Sequence, residues 1–247
     1  MQNHNFFESG VTVSMPDPGS QLTIPAVGMA SNPGLPEALR ENILDPRMVN
    51  HIDEIMLELL DRNSPIIPSY INTALPVLVV DEKFKLANAQ PGRIYHVVCK
   101  PNKNTLIAAN SILTEVVIVA ECEIKINAGA TITSAVLASR SGGNGNIGKA
   151  NVGIAANAQL GLPDNCAEGG GVQIFSNATI HTASSTKIDG VQMVAKGDIE
   201  LGARSVGING ISAQAGGNIT LTSNNQFGLC SGGAPNLFTV KYYRLVL

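Results

Sequence analysis

The chain has 247 residues and a net charge of −3, with 44% hydrophobic but only 14% charged residues, a length that suits one large domain or two small ones. No Lys/Arg cluster exists and the aromatics do not interleave with basic residues, which argues against a nucleic-acid partner. No apolar run reaches the ~18–20 residues of a membrane span. Trp is absent and aromatics are 4%, so the core is built from Val, Ile, Leu and Ala. Between Val97 and Asn225 the sole aromatic is Phe175, which points to a thin interior.

Residues 1–32 open with Met1–Phe7, which reads as a chain entered partway through a strand, without the charged-then-apolar pattern of a signal peptide. A strand-like alternation follows in Val11-Thr-Val-Ser-Met15, then a Pro/Gly-rich passage through Pro16, Pro18, Gly19 and Pro25. Residues 33–62 form a helical insertion. Leu35 to Asn42 predicts a short helix. Asp45-Pro46 then supplies an N-cap and a proline at the first helical position. Met48, Val49, Ile52, Ile55, Met56, Leu59 and Leu60 follow at helical spacing, with Asn50, Asp53, Glu54 and Glu58 opposite. Such a stripe must cover apolar surface, capping a solenoid end or, as the preceding strand-like sequence favours, lying along a flank. Asn63-Ser64-Pro65 ends the helix.

From about residue 75 to 230 the sequence repeats. Segments 115–126, 171–182, 190–201 and 210–221 each read as a short apolar strand, a small polar corner and then Ile-x-apolar. The marker isoleucines Ile180, Ile199 and Ile219 stand 19 and 20 residues apart, and Ile124 lies 56 before Ile180, leaving room for a rung plus a Gly-rich loop at 141–150. Short strands, Gly/Asn/Ser corners and a period near 20 predict a right-handed parallel β-helix occupying 1–247 as a single domain, with inward positions forming aliphatic ladders. A leucine-rich repeat lacks its leucines here. A β-sandwich is the structural rival, but it does not explain recurrence of the whole unit.

Catalytic chemistry on such a solenoid would need converging carboxylates with a nearby Lys or Arg. The repeat offers Asp164, Glu168, Asp189, Asp198, Glu200 and Arg204. Asp189 and Asp198 fall at different phases of the coil, and no aromatic sugar platform accompanies them. No catalytic residue is therefore assigned. Ser141-Gly-Gly-Asn-Gly-Asn-Ile147 resembles a calcium-binding Gly-rich repeat, but Ile147 stands where Asp is required and the motif occurs once, so no metal and no cofactor are expected; nor does a Gly-Lys-Ser/Thr follow to make a phosphate loop. Thr131-Ile-Thr133 and Thr220-Leu-Thr222 are not on consecutive rungs and make no ice-binding array. His4, His51, His96 and His181 are scattered, reading as surface or packing residues. Asn177-Ala-Thr179 and Asn218-Ile-Thr220 fit the glycosylation pattern, which matters only in a eukaryotic secretory pathway.

Cys99, Cys122, Cys166 and Cys230 include no closely spaced pair, which disfavours zinc and favours two disulfides; four buried free thiols are the alternative. Cys99 and Cys122 are about one coil apart, so they can sit on adjacent rungs at ~4.8 Å, within disulfide reach. Cys166 and Cys230 then pair by elimination. They are about three coils apart, ~14 Å along the axis, so a loop would have to fold along the solenoid to clasp the C-terminal tail.

Several segments carry a resemblance: Phe6-Phe-Glu-Ser-Gly-Val-Thr-Val-Ser-Met-Pro16, Asn32 to Arg40, Pro91-Gly-Arg-Ile94, Val117-Ile-Val-Ala-Glu-Cys122, Asp164-Asn-Cys-Ala-Glu-Gly-Gly-Gly171 and Phe238 to Leu247. Together they resemble the C-terminal region of TadE/TadG-like proteins of bacterial Flp (Tad) pilus assembly, over nearly the whole chain. The motifs are structural, and none is a catalytic signature. The resemblance implies a periplasmic or extracellular place in the bacterial cell envelope, with a membrane contact only through an anchor absent from this chain. The expected role is a non-enzymatic structural or interaction module of an envelope or pilus assembly, with other pilus or envelope proteins, or itself, as partner. A surface adhesin or carbohydrate-binding β-helix is the alternative, ahead of a polysaccharide lyase or hydrolase.

Overall fold

The computed structural model describes residues 51–140, 152–162, 171–202 and 211–221, together with the backbone pairing of 12–14, 21–23, 208–209 and 227–228. Two compact units divide the chain, residues 1–50 and residues 51–247. In the first, β1 (Thr12–Ser14) pairs antiparallel with β2 (Gln21–Thr23), Val13 opposite Leu22. The alternation at Val11–Met15 thus falls on a real strand. The helix expected over Leu35–Asn42, and the Met48/Val49 part of the longer one, lie outside the described residues.

The second unit opens with α1 (Ile52–Glu58), whose first turn carries Asp53 and Glu54 at the positive end of the helix dipole. Ile52, Met56 and Leu59 are buried, Ile55 and Leu60 half-buried, and Leu57 is exposed. Beyond Glu58 the backbone tightens: the N–H groups of Leu60 and Asp61 donate three residues back, and Ser64 donates its hydroxyl to Glu58. The Asn63-Ser64-Pro65 stop acts through these bonds.

The rest is a parallel β-helix. Its strands are β3 (Leu78–Asp81), β4 (Arg93–Val98), β5 (Asn104–Ile107), β6 (Ile112–Ala120), β7 (Glu123–Ile126) and β8 (Thr131–Ser139). There follow β9 (Val152–Ile154), β10 (Gln159–Leu160), β11 (Val172–Ser176), β12 (Ile180–Thr182), β13 (Lys187–Asp189) and β14 (Val191–Ala195). The last are β15 (Ile199–Leu201), β16 (Ile208–Asn209), β17 (Ser212–Ala215), β18 (Ile219–Leu221) and β19 (Phe227–Gly228). Side one is a six-stranded sheet, β5-β7-β9-β12-β15-β18. The other sheet bends into two sides. Side two stacks Ile112–Thr114, Thr131–Thr133, β10, β13, β16 and β19; side three stacks β3, β4, Val116–Ala120, Ala135–Ser139, β11, β14 and β17.

The marker isoleucines share one inward ladder on side one: Thr105, Ile124, Val152, Ile180, Ile199 and Ile219 in successive rungs. Ile124, Ile180 and Ile199 are fully buried, each such burial contributing ~1.5–3 kcal/mol. Ile219, on the last described rung of this side, is half-buried and packs on the same core. The interval from Ile124 to Ile180 holds one rung, at Val152, so the extra length is shared by two coils. The Gly-rich loop 141–150 in one of them, and residues 163–170 in the other, lie outside the described residues.

Two corners repeat in register. Between sides one and two stand Asn110, Gly129, Asn157 and Ser185, with φ of 56°, 72°, 59° and 64°. Between sides two and three stand Gly92, Glu115, Ser134 and Gly190, with φ of 76°, 53°, 45° and 63°. The left-handed conformation turns the chain sharply, and Gly and Asn adopt it cheaply. Glu115 and Ser134 hold it inside otherwise continuous strands, where the sheet hydrogen bonds on either side fix the bend. At the N-terminal end, a 3₁₀ turn at Leu86–Asn88 inserts the buried Leu86 over the interior, and the ring of Phe84 stacks on that of Tyr95 at 5.6 Å.

In its middle rungs side three is largely buried on both faces. Val116, Ile118 and Ala120 face the interior cluster, yet the alternate residues Val117 and Val119 are equally buried, as are Val136, Ala138, Phe175 and Val194. Helix α1 packs on this outer face at β11, which places it along a flank of the solenoid.

Candidate functional site

Where α1 meets the solenoid, a polar cluster forms. Asn177 follows β11 and Lys196 follows β14, and the pairing of Ser176 with Ala195 puts them one above the other. Asn177 donates from Nδ2 to Asp53 Oδ1 at 2.7 Å and to the Arg140 carbonyl at 3.3 Å, while the Lys196 ammonium pairs with Asp53 Oδ2. The bond from Lys196, then that from Asn177, holds the Asp53 carboxyl below its ordinary range. One acid on the helix thus ties two successive rungs. The asparagine of the first glycosylation sequon is occupied in this structural role. Elsewhere, by the corner that carries Gly92 and Glu115, burial raises the Tyr70 phenol well above its usual value, with the Glu115 carboxylate adding to the effect.

Cys99 and Cys122 form a disulfide, with Cα atoms 5.8 Å apart. They follow β4 and β6 at matching positions, since Val97 pairs with Ala120, so the bridge joins adjacent rungs. Beside it His96 Nε2 lies 3.0 Å from Glu121 Oε1. Cys166 and Cys230, and with them the expected clasp, lie outside the described residues.

The acids considered for catalysis occupy different sides. Asp189, on side two, is buried and accepts from Gln159 Nε2 at 3.0 Å. Asp198 lies at a corner and accepts the backbone N–H of Asn218 at 2.7 Å. Glu200, on side one, projects outward 3.9 Å from His181. Asp164, Glu168 and Arg204 lie outside the described residues. Among the described residues no group of three or more His, Cys, Asp or Glu side chains is placed to hold a metal ion, and no helix is long and apolar enough to cross a membrane. Thr131 and Thr133 stand on side two, where Thr133 donates to Thr114 at 3.0 Å, while Thr220 stands on side one.

The most regular outer surface is on side one. There inward and outward residues alternate strictly, and the outward row runs Leu106, Lys125, Gly153, His181, Glu200 and Thr220, one residue per rung. Lys125 is half-exposed and lies 3.5 Å from Glu123 on its own strand. On side three Gln173 stacks over Gln192, joined amide to amide at 3.1 Å. Period-2 alternation in β5, β7, β12 and β15 was the sequence signal for the side-one row. The Asp53 cluster left none, because it joins residues more than a hundred positions apart.

A family model described as a domain of unknown function (DUF7867) matches residues 1–231, and the chain belongs to that family. No curated protein and no solved structure matches the chain.

Proposed function

We propose that this chain is a non-enzymatic structural and interaction module working outside the cytoplasm of a bacterial cell, as part of an envelope or pilus assembly. The observation that carries the reading is the outward row on side one. Its six residues are held on six hydrogen-bonded rungs, so they form a regular outer row, polar at Lys125, His181, Glu200 and Thr220, whose backbone needs no ordering when a partner lands. Helix α1 packs on a different flank, on side three at β11. A disulfide between adjacent coils suits an oxidising compartment. The narrower assignment to a Tad pilus rests on the resemblance of the Cys122 and Cys166 segments and both chain ends to TadE/TadG-like proteins.

Photo-reactive amino acids placed at Leu106 or Thr220, with Lys187 on side two as control, test this in the native host. Adducts to envelope proteins from side one alone are expected. Adducts only to glycans would instead support the adhesin or carbohydrate-binding alternative, and depolymerisation of a polysaccharide by the purified chain would overturn the non-enzymatic reading.

A further inference from the structure

Exposed apolar side chains collect at one end of the solenoid. Of the eight large hydrophobic side chains exposed among the described residues, Leu78, Val79, Val98, Leu106 and Ile112 all stand on the first two coils. The outermost strand there, β3, pairs along one edge only, with β4. Residues 51–77 lead into β3 and residues 82–140 lead out of it; all are described, and none forms a strand on its other edge. Leu86 closes the interior at this end, yet Val79 remains 63% exposed. Leu78, Val79 and Val80 offer none of the devices that blunt a bare edge. They include no proline and no charge, and their continuous register with β4 leaves no bulge. Such an edge is a template for another strand.

We propose that β3 pairs antiparallel with β3 of a second copy, Val79 opposite Val79, making a two-fold dimer joined at the N-terminal ends of the solenoids. This surface is separate from the outward row on side one, and the inference does not rest on that reading. The strand's own chemistry argues for the occupant. Directly opposed residues of an antiparallel pair share a face, so inward residues must meet inward residues. Leu78 and Val80 continue the inward rows of Tyr95 and Val97, while Val79 shares its outward face with His96. A two-fold centred on Val79 puts Leu78 against Val80 of the second copy, which carries the aliphatic rows of one solenoid into the next. It also keeps the acids apart. Asp81 and Glu82 stand at the C-terminal end of β3, so the antiparallel dimer places the two acidic ends far from each other, with Asp81 opposite Val77. A parallel two-fold pairing would set Asp81 beside Asp81, like charges together, and would turn the second copy's inward face outward. The closed arrangement uses one patch twice. A four-residue edge is small for an interface, so the dimer is weak and depends on concentration.

The test is sedimentation equilibrium of the full chain from low to high micromolar concentration, with the Cys99–Cys122 bridge intact. A rise in mass from one chain towards two is expected. Val79→Lys and Val79→Glu should each melt close to the parent, since the side chain is mostly exposed. Each should associate at least about tenfold more weakly, because the two-fold sets like charges side by side. An equimolar mixture of the two variants should recover the dimer, since the charges then attract. Leu221→Lys, on the last described rung of side one, should associate as the parent does. The proposal is overturned if the mass stays at one chain throughout, if Val79→Lys associates as well as the parent, or if the mixture fails to recover what the single variants lose. Exchange-protected β3 amides in a chain that never dimerises would overturn it in favour of an edge covered by another part of the same chain. Growth beyond two chains that Leu221→Lys suppresses would overturn it in favour of end-to-end stacking.

Discussion

Gly161 lies so close to Asp189 on the neighbouring rung that a methyl group added to the glycine would overlap the aspartate's carbonyl oxygen. The pairing of Leu160 with Ile188 sets the two opposite each other, and Gly161 itself has φ of 76°. The overlap is with backbone, so no rotamer change relieves it. Gly161→Ala is expected to cost about 2–3 kcal/mol, from the left-handed strain and the displaced strand together. The denaturant midpoint reports it, and Gly153→Ala is the control, expected to be neutral or to gain ~0.5–1 kcal/mol. Equal midpoints for the two variants would refute the close approach.

Thr105 begins the inward ladder that continues through Ile124, and it is fully buried with no hydrogen-bond partner for its hydroxyl among the described residues. The hydroxyl gave up water on folding and gained no partner, at a cost of roughly 1–3 kcal/mol. Thr105→Val keeps the shape and removes that cost. A stabilisation of about 1 kcal/mol is expected, visible as a rise of a few degrees in melting temperature. A lower melting temperature would mean that the hydroxyl has a partner in solution.

The ladder was legible in the sequence because buried isoleucines mark the same phase in each coil and tight corners keep the period at 19 or 20. Val152 carried no such mark: the two coils flanking it are longer, so its rung could be inferred only from the size of the gap. The corners were legible in kind but not in detail. Glu115 and Ser134 hold left-handed φ, which neither residue type advertises. The doubly covered flank also has a mark in the sequence. Val116-Val-Ile-Val-Ala120 and Ala135-Val-Leu-Ala138 are continuous apolar runs, the pattern of parallel strands covered on both faces. They mark the flank on which the Ile52/Met56/Leu59 stripe could pack. Which acid would tie that helix down was invisible, since Asp53 meets Asn177 and Lys196 only through the fold.

That tie titrates. The Asp53 carboxyl is held below 3.8, first by its bond from Lys196 and then by that from Asn177. A carboxyl lowered in the folded state stabilises fully above its unfolded value and loses that contribution as the pH falls through its folded value. The docking of α1 should therefore weaken below about pH 3.8 and be steady above pH 5. Because the Asp53 side chain is half-exposed, the effect is a few tenths of a kcal/mol. Hydrogen exchange of the α1 amides measures it. Asp53→Asn should exchange faster near neutrality and show a flatter acid response; identical acid profiles would place the sensitivity elsewhere.

The disulfide makes the broadest prediction, because it bears on both stability and place. Cys99 and Cys122 close a loop with a sequence separation of 23, a length for which loop closure is worth about 3 kcal/mol if the native geometry is unstrained. The bridge fastens β4, and with it the Leu86 plug, to β6 and β7 behind it. Its loss should loosen the N-terminal coils first and leave the rungs around Ile180 and Ile199 intact. The double variant Cys99→Ser/Cys122→Ser is expected to lose about 3 kcal/mol, with exchange protection falling most in β3, β4 and β5. Peptide mapping without reductant, on chain recovered from the native host, should yield one cross-linked peptide joining Cys99 to Cys122. A second, joining Cys166 to Cys230, would bear out the clasp expected from the sequence. Free Cys99 and Cys122 in that material would place the working protein in a reducing compartment, and the case for an envelope role would fall with them.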